Sequence, residues 1–139
     1  MGFLRWPLFL VLLSTTCVAS QDLPEYTCLK AYSPIIIDGI ADDAAWQQAD
    51  PVGMVDVSFI QDPRPHSQPT EVRMLWDDDN LYVLFVATDP DVWSRLTERD
   101  DPLWNDEVVE IFLDPTGEGL RYAEIEVNAL KTIVDLLVT

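Results

Sequence analysis

Thr70-Glu-Val-Arg-Met-Leu-Trp76 and Leu81-Tyr-Val-Leu-Phe-Val-Ala87, separated by Asp77-Asp-Asp-Asn80, decide the fold class of this chain. Two hydrophobic segments flanking a four-residue acidic turn read as a β-hairpin. The second segment is apolar on both faces, so it is expected at the centre of a sandwich. There an opposing sheet would cover one side and loops or a helix the other. Asp89-Pro90-Asp91 ends it.

The strand pattern extends in both directions. Downstream, Val108–Leu113 is strand-like and Asp114-Pro-Thr-Gly-Glu-Gly119 is a turn. Tyr122–Asn128 then alternates: Ala123, Ile125 and Val127 point one way, while Tyr122, Glu124, Glu126 and Asn128 point the other. One sheet face thus presents a polar row. Thr132–Val138 is a further apolar segment. Upstream, Val55, Val57 and Phe59 alternate with Asp56 and Ser58, the period of a strand with one wet face. Ser33-Pro-Ile-Ile-Ile-Asp-Gly39 is expected to give a short strand and turn after an extended lead-in from Gln21 to Lys30. Asp42 is placed to cap a short helix over Ala44–Ala49, with Trp46 as a core plug and Pro51 as its stop. The sum is an all-β chain: an antiparallel, jelly-roll-like β-sandwich with one short helix.

Charge and cysteine usage narrow the function. The chain carries 8 basic and 25 acidic residues, a formal net charge of −17. Its basic start, the apolar run Trp6–Leu13 and small residues up to Ala19 and Ser20 read as a signal peptide over residues 1–20, which makes the protein secreted or periplasmic. Residues 21–139 then form one domain. Cleavage removes Arg5 and leaves the domain still more acidic. Such a surface repels phosphate backbones and anionic lipid, so neither nucleic acid nor membrane is an expected partner after cleavage. Cys28 is the remaining cysteine, excludes an intrachain disulfide and is expected as a buried thiol. His66 lies in the proline-rich loop 61–69 with nothing to fix it as a triad member or zinc ligand. Gly117-Glu-Gly119 is a turn and not a phosphate cradle.

Asp100-Asp-Pro-Leu-Trp104-Asn-Asp106-Glu-Val-Val-Glu110-Ile-Phe-Leu-Asp-Pro115 delivers an indole and several carboxylates into a strand. That combination suits a sugar, whose C–H face stacks on an aromatic ring and whose hydroxyls donate to carboxylates. A glycosidase reading would need two of Glu110, Glu124 and Glu126 to face each other across a cleft at about 5–10 Å. A haem reading would have to draw axial ligands from His66, Met54 and Met74, without an attachment motif.

Ile37-Asp-Gly39 with Asp42 and Trp46, Val72-Arg-Met-Leu-Trp-Asp77, Asn80-Leu-Tyr-Val83, Asp89-Pro90, Trp104-x-Asp106-x-x-x-Glu110-Ile-Phe-Leu-Asp114 and Glu126-Val-Asn128 occur in an order that resembles the family-9 carbohydrate-binding modules. The resemblance runs from Tyr26 to about Asp135. It implies a β-sandwich and non-catalytic sugar binding in polysaccharide breakdown, with a glycoside hydrolase, acting on O-glycosyl bonds, as partner domain. By that resemblance Trp104 is one wall of a two-tryptophan sugar clamp, Glu110 hydrogen-bonds the sugar, Glu126 stands where an arginine ligand is known, and Asn128 assists. Family members continue for several more strands and bring the second tryptophan from that part. The resemblance therefore implies an incomplete sandwich lacking its C-terminal strands, with an open edge. Calcium is the one candidate cofactor, with Asp89, Asp91 and Asp106 as oxygen ligands.

Overall fold

Strand β5 (Thr70–Trp76) organises the first sheet of the computed structural model, which describes residues 25–56, 64–65 and 68–139. It pairs antiparallel with β6 (Leu81–Ala87) from Thr70↔Ala87 through Trp76↔Leu81. On its other edge β2 (Val52–Gly53) pairs antiparallel with it and β1 (Leu29–Lys30) pairs parallel. Among the described residues β6 therefore lies at the sheet edge and β5 is central, a correction to the expected central place of Leu81–Ala87. Its apolarity reflects cover above and below. Tyr82 and Leu84 pack on a buried cluster, while Phe85 and Ala87 line a cleft on the other face.

The hairpin turn closes as its sequence requires. Asp77 Oδ1 accepts from the amides of Asp79 and Asn80 at 2.9 and 2.7 Å, and the Tyr82 hydroxyl donates to Oδ2 at 2.6 Å. That hydroxyl, more than the turn amides, holds the Asp77 carboxyl below its usual range.

Above β5 sits the core, formed by Ala45, Trp46, Ala49 and Leu75. The expected helix is only a 3-10 turn, Ala44–Gln48. Asp43, not Asp42, precedes it, and that side chain makes no cap, since its Oδ2 accepts from the Ile36 amide at 3.1 Å. An uncapped segment stopped by Pro51 is too short to propagate an α-helix. Ser33–Gly39 forms no strand either, and Ile36 and Ile37 are exposed. Here the Asp38 amide donates to the Ile36 carbonyl and the Ile40 amide to Asp38 Oδ1, so local turns consume groups that a ladder would have used. Pairing falls instead to Leu29–Lys30, inside the lead-in.

Strand β3 (Val55–Asp56) pairs antiparallel with β4 (Arg64–Pro65). The rest of the expected strand to Phe59, the signal peptide and His66 lie outside the described residues. The second main sheet is β7 (Val108–Leu113), β8 (Tyr122–Asn128) and β9 (Ile133–Val138), antiparallel in that order. Between β7 and β8, Asp114 accepts from the amides of Thr116 and Gly117 on Oδ1 and of Gly119 on Oδ2. Gly117 and Gly119 supply the positive φ angles of 66° and 68° that this wrap needs. The two main sheets make the all-β sandwich expected from the sequence. Cys28 is half-buried and unpaired, and burial pushes its thiol up. Among the described residues no helix is long and apolar enough to cross a membrane.

Candidate functional site

The register of the second sheet assembles the polar row. Val108 lies opposite Asn128, Glu110 opposite Glu126, and Phe112 opposite Glu124. Directly paired residues share a face, so these six side chains stand on one side, with Val109, Ile111, Ile125 and Val127 on the other.

Trp104 comes from the segment leading into β7. A second 3-10 turn, Leu103–Asn105, packs against β8; Leu103 is fully buried and holds the turn down, while Trp104 is 59% exposed. The loop before it is tied in at two points. The Asp106 side chain, shielded from solvent, accepts at Oδ2 from the amides of Arg95 and Leu96 at 2.7 and 3.2 Å, and at Oδ1 from the Arg95 guanidinium at 3.0 Å. The Arg95 amide is the main reason that the Asp106 carboxyl sits below its usual range. Arg95 in turn lies 5.0 Å over the Trp93 ring. Asn128 makes the second tie: its Nδ2 donates to the Leu96 carbonyl at 2.8 Å, and its Oδ1 accepts from the amides of Leu130 and Thr132, both at 3.0 Å.

The candidate residues thus divide by role. Trp104 is presented to solvent and Glu110 is partly exposed. Asn128 is buried and its amide is committed to the loop and the following turn. Glu126 is 1% exposed and its Oε2 has no hydrogen-bond partner. Burial pushes its carboxyl up, reinforced by the neighbouring Glu110 and Glu124 carboxylates and a hydrogen bond with Glu124. Among the described residues, Glu110, Glu124 and Glu126 have no ion-pair partner.

Asp89, Asp91 and Asp106 do not come together as a donor set: among the described residues no three acidic, histidine or cysteine side chains are grouped to hold a metal ion. Asp106 is occupied by Arg95 and Leu96, and Asp89 accepts from Gln68 and the Asp91 amide. These residues do not fit calcium. Nor do the strand glutamates meet the glycosidase requirement. Glu110 and Glu126 are paired neighbours with Cα atoms about 5 Å apart, pointing the same way instead of facing each other across a cleft.

An open cleft of about 780 Å³ runs beside this face. Met54, Phe85 and Ala87 line it from the first sheet, and Val108, Glu110, Phe112 and Asn128 from the second. Strand β7 contributes residues of both faces because it is the edge of its sheet, so the cleft wraps around it. Trp104 and Glu126 stand outside this lining. The roles of Asp106 as loop tie and Phe112 as cleft residue were not read from the sequence. For Phe112 the signal was present, since it follows Glu110 by two positions and so shares its face.

The buried Glu126 carboxyl sets a pH dependence. A group that binds its proton more tightly when folded favours folding fully below its ordinary value of 4.5, and that contribution is lost as pH rises through the raised value. Asp77, Asp106 and Asp114 act in the opposite sense: their contribution is present above 3.8 and lost as pH falls. Together these four groups favour the folded state most in mildly acidic solution. Glu126→Gln is expected to raise the melting temperature by a few degrees at pH 7 and to change it little at pH 4. A lowered or unchanged value at pH 7 would contradict this account.

The family model for "Carbohydrate family 9 binding domain-like" matches residues 37–134. Endo-1,4-beta-xylanase A of Thermotoga neapolitana is 31% identical over 93 residues, and endo-1,4-beta-xylanase A of Thermotoga maritima is 29% identical over 93 residues. Each alignment covers 67% of this chain but only 8% of the relative. No solved structure matches the chain. With a family model covering well over half its length, the chain belongs to the carbohydrate family 9 binding domain-like family.

Proposed function

We propose that this chain is a secreted, non-catalytic carbohydrate-binding module that serves polysaccharide breakdown beside a glycoside hydrolase. The observation that carries the reading is the exposed Trp104 ring on a turn packed against the sheet that bears Glu110. In it the indole stacks on the apolar face of a sugar, and the Glu110 carboxylate accepts from its hydroxyls. Asn128 and Asp106 position the loop without touching the ligand. Glu126, buried beside Glu110 on the neighbouring strand, shapes the electrostatics of the row. The name of the xylanase relatives supports a xylan setting and a hydrolase as partner domain.

Calorimetry with neutral gluco- and xylo-oligosaccharides tests this. The chain should bind at least one series, and Glu110→Gln should weaken binding about tenfold, the size of one charge-assisted hydrogen bond. Absence of binding across both series, or an unaltered Glu110→Gln variant, would defeat the proposal.

A further inference from the structure

Beyond Glu110 the same sheet face ends in an aromatic pair. Phe112 and Tyr122 have ring centroids 5.7 Å apart at 58° between planes, the tilted geometry that aromatic rings favour. Register places both on the face of Glu110, Glu124 and Glu126, because Phe112 lies opposite Glu124 and Tyr122 is two residues from Glu124 on β8. Tyr122 is partly buried and buttresses the pair, while Phe112 remains 55% exposed. Glu110 and Phe112 line one continuous cleft. Two residues along a strand span about 7 Å, comparable to the step from one sugar ring to the next in a chain.

We propose that Phe112, braced by Tyr122, is a second sugar subsite, so that the ligand is a neutral chain of two or more sugars lying along β7. This rests on the carbohydrate-binding reading of the site. One ring contacts Trp104 and Glu110, and the next stacks on Phe112, with the Glu110 carboxylate between them able to accept from hydroxyls of either. Neutrality of the chain follows from charge. A uronic acid would meet Glu110 and Glu124, which have no ion-pair partner among the described residues, on a chain of net charge −17.

The test is calorimetry on the full chain with a neutral oligosaccharide series of one to four residues, together with an oligouronate of matched length. Affinity should rise about tenfold from the monosaccharide to the trisaccharide, the range of one aromatic stacking contact, and the oligouronate should bind more weakly than its neutral counterpart. Phe112→Ala should collapse the ratio of trisaccharide to monosaccharide affinity to about one. Phe112→Leu, which keeps apolar bulk without a flat face, should do the same, and Phe112→Tyr should restore the ratio. If wild-type affinity does not depend on length, or the gain survives both Phe112→Ala and Phe112→Leu, or uronates bind as well, the subsite is wrong and the sugar-binding reading stands. If no sugar of any length binds, both fail.

Discussion

Trp104→Ala is expected to weaken carbohydrate binding by about 30-fold or more, the loss of a central aromatic contact worth about 2 kcal/mol. The melting temperature should stay within about one or two degrees of the parent, as for other exposed substitutions. This separation follows from the turn itself. Leu103 carries the packing and is fully buried, while its neighbour is 59% exposed, so truncating the indole removes little that the fold uses. Trp104→Phe, which keeps a flat face, should recover part of the affinity. Measured together by calorimetry and thermal melting, an Ala variant that binds normally would remove Trp104 from the site. One that melts far below the parent would make it a packing residue instead.

Trp46→Ala should have the largest effect on stability. Trp46 is 4% exposed and packs with Ala45, Ala49 and Leu75 over the first sheet, where Ala31, Ile35, Tyr82 and Leu84 close around it. Removing a buried indole costs about 3–5 kcal/mol in transfer and cavity terms. A domain of this size has about 5–15 kcal/mol in all, so a large part would go. Two of the three other buried members of the cluster are alanines, which carry no side chain able to move into the space. Urea unfolding followed by tyrosine and tryptophan fluorescence should show a midpoint far below that of the parent, and a midpoint within error would contradict the assigned core. Because Trp46 packs on the face of the first sheet opposite the one that lines the cleft, binding should survive wherever the variant remains folded.

What the sequence made legible depended on whether a pattern was local. Alternation in Tyr122–Asn128 specified a face, and the register of β7 against β8 then brought Glu110 and Glu126 opposite each other as that face required. The apolar run Leu81–Ala87 specified a strand but not its place in the sheet. Cover above and below makes both faces apolar, whereas lateral neighbours are set by long-range pairing that leaves no mark within the segment. Pro34-Ile-Ile-Ile37 carried strand propensity, yet the turn bonds of Asp38 took the local backbone. In the site, residue type identified Trp104 and Glu110 but could not separate a ligand contact from a tie. Asn128 and Asp106 look equally available on paper. Only the Leu96 carbonyl and the Arg95 and Leu96 amides, distant in sequence from Asn128 and in an irregular loop, show where their hydrogen bonds go.

Strand β7 has a neighbour on one side only among the described residues, and its outer side borders the cleft. Amides and carbonyls along that border pair with no other strand among the described residues, and they belong to the polypeptide whatever side chains it carries. On the proposed reading, a hydroxyl-rich ligand lying there meets the main chain as well as Glu110 and Phe112. Sequence drift at those two positions would then retune preference among sugars without altering the main-chain contribution.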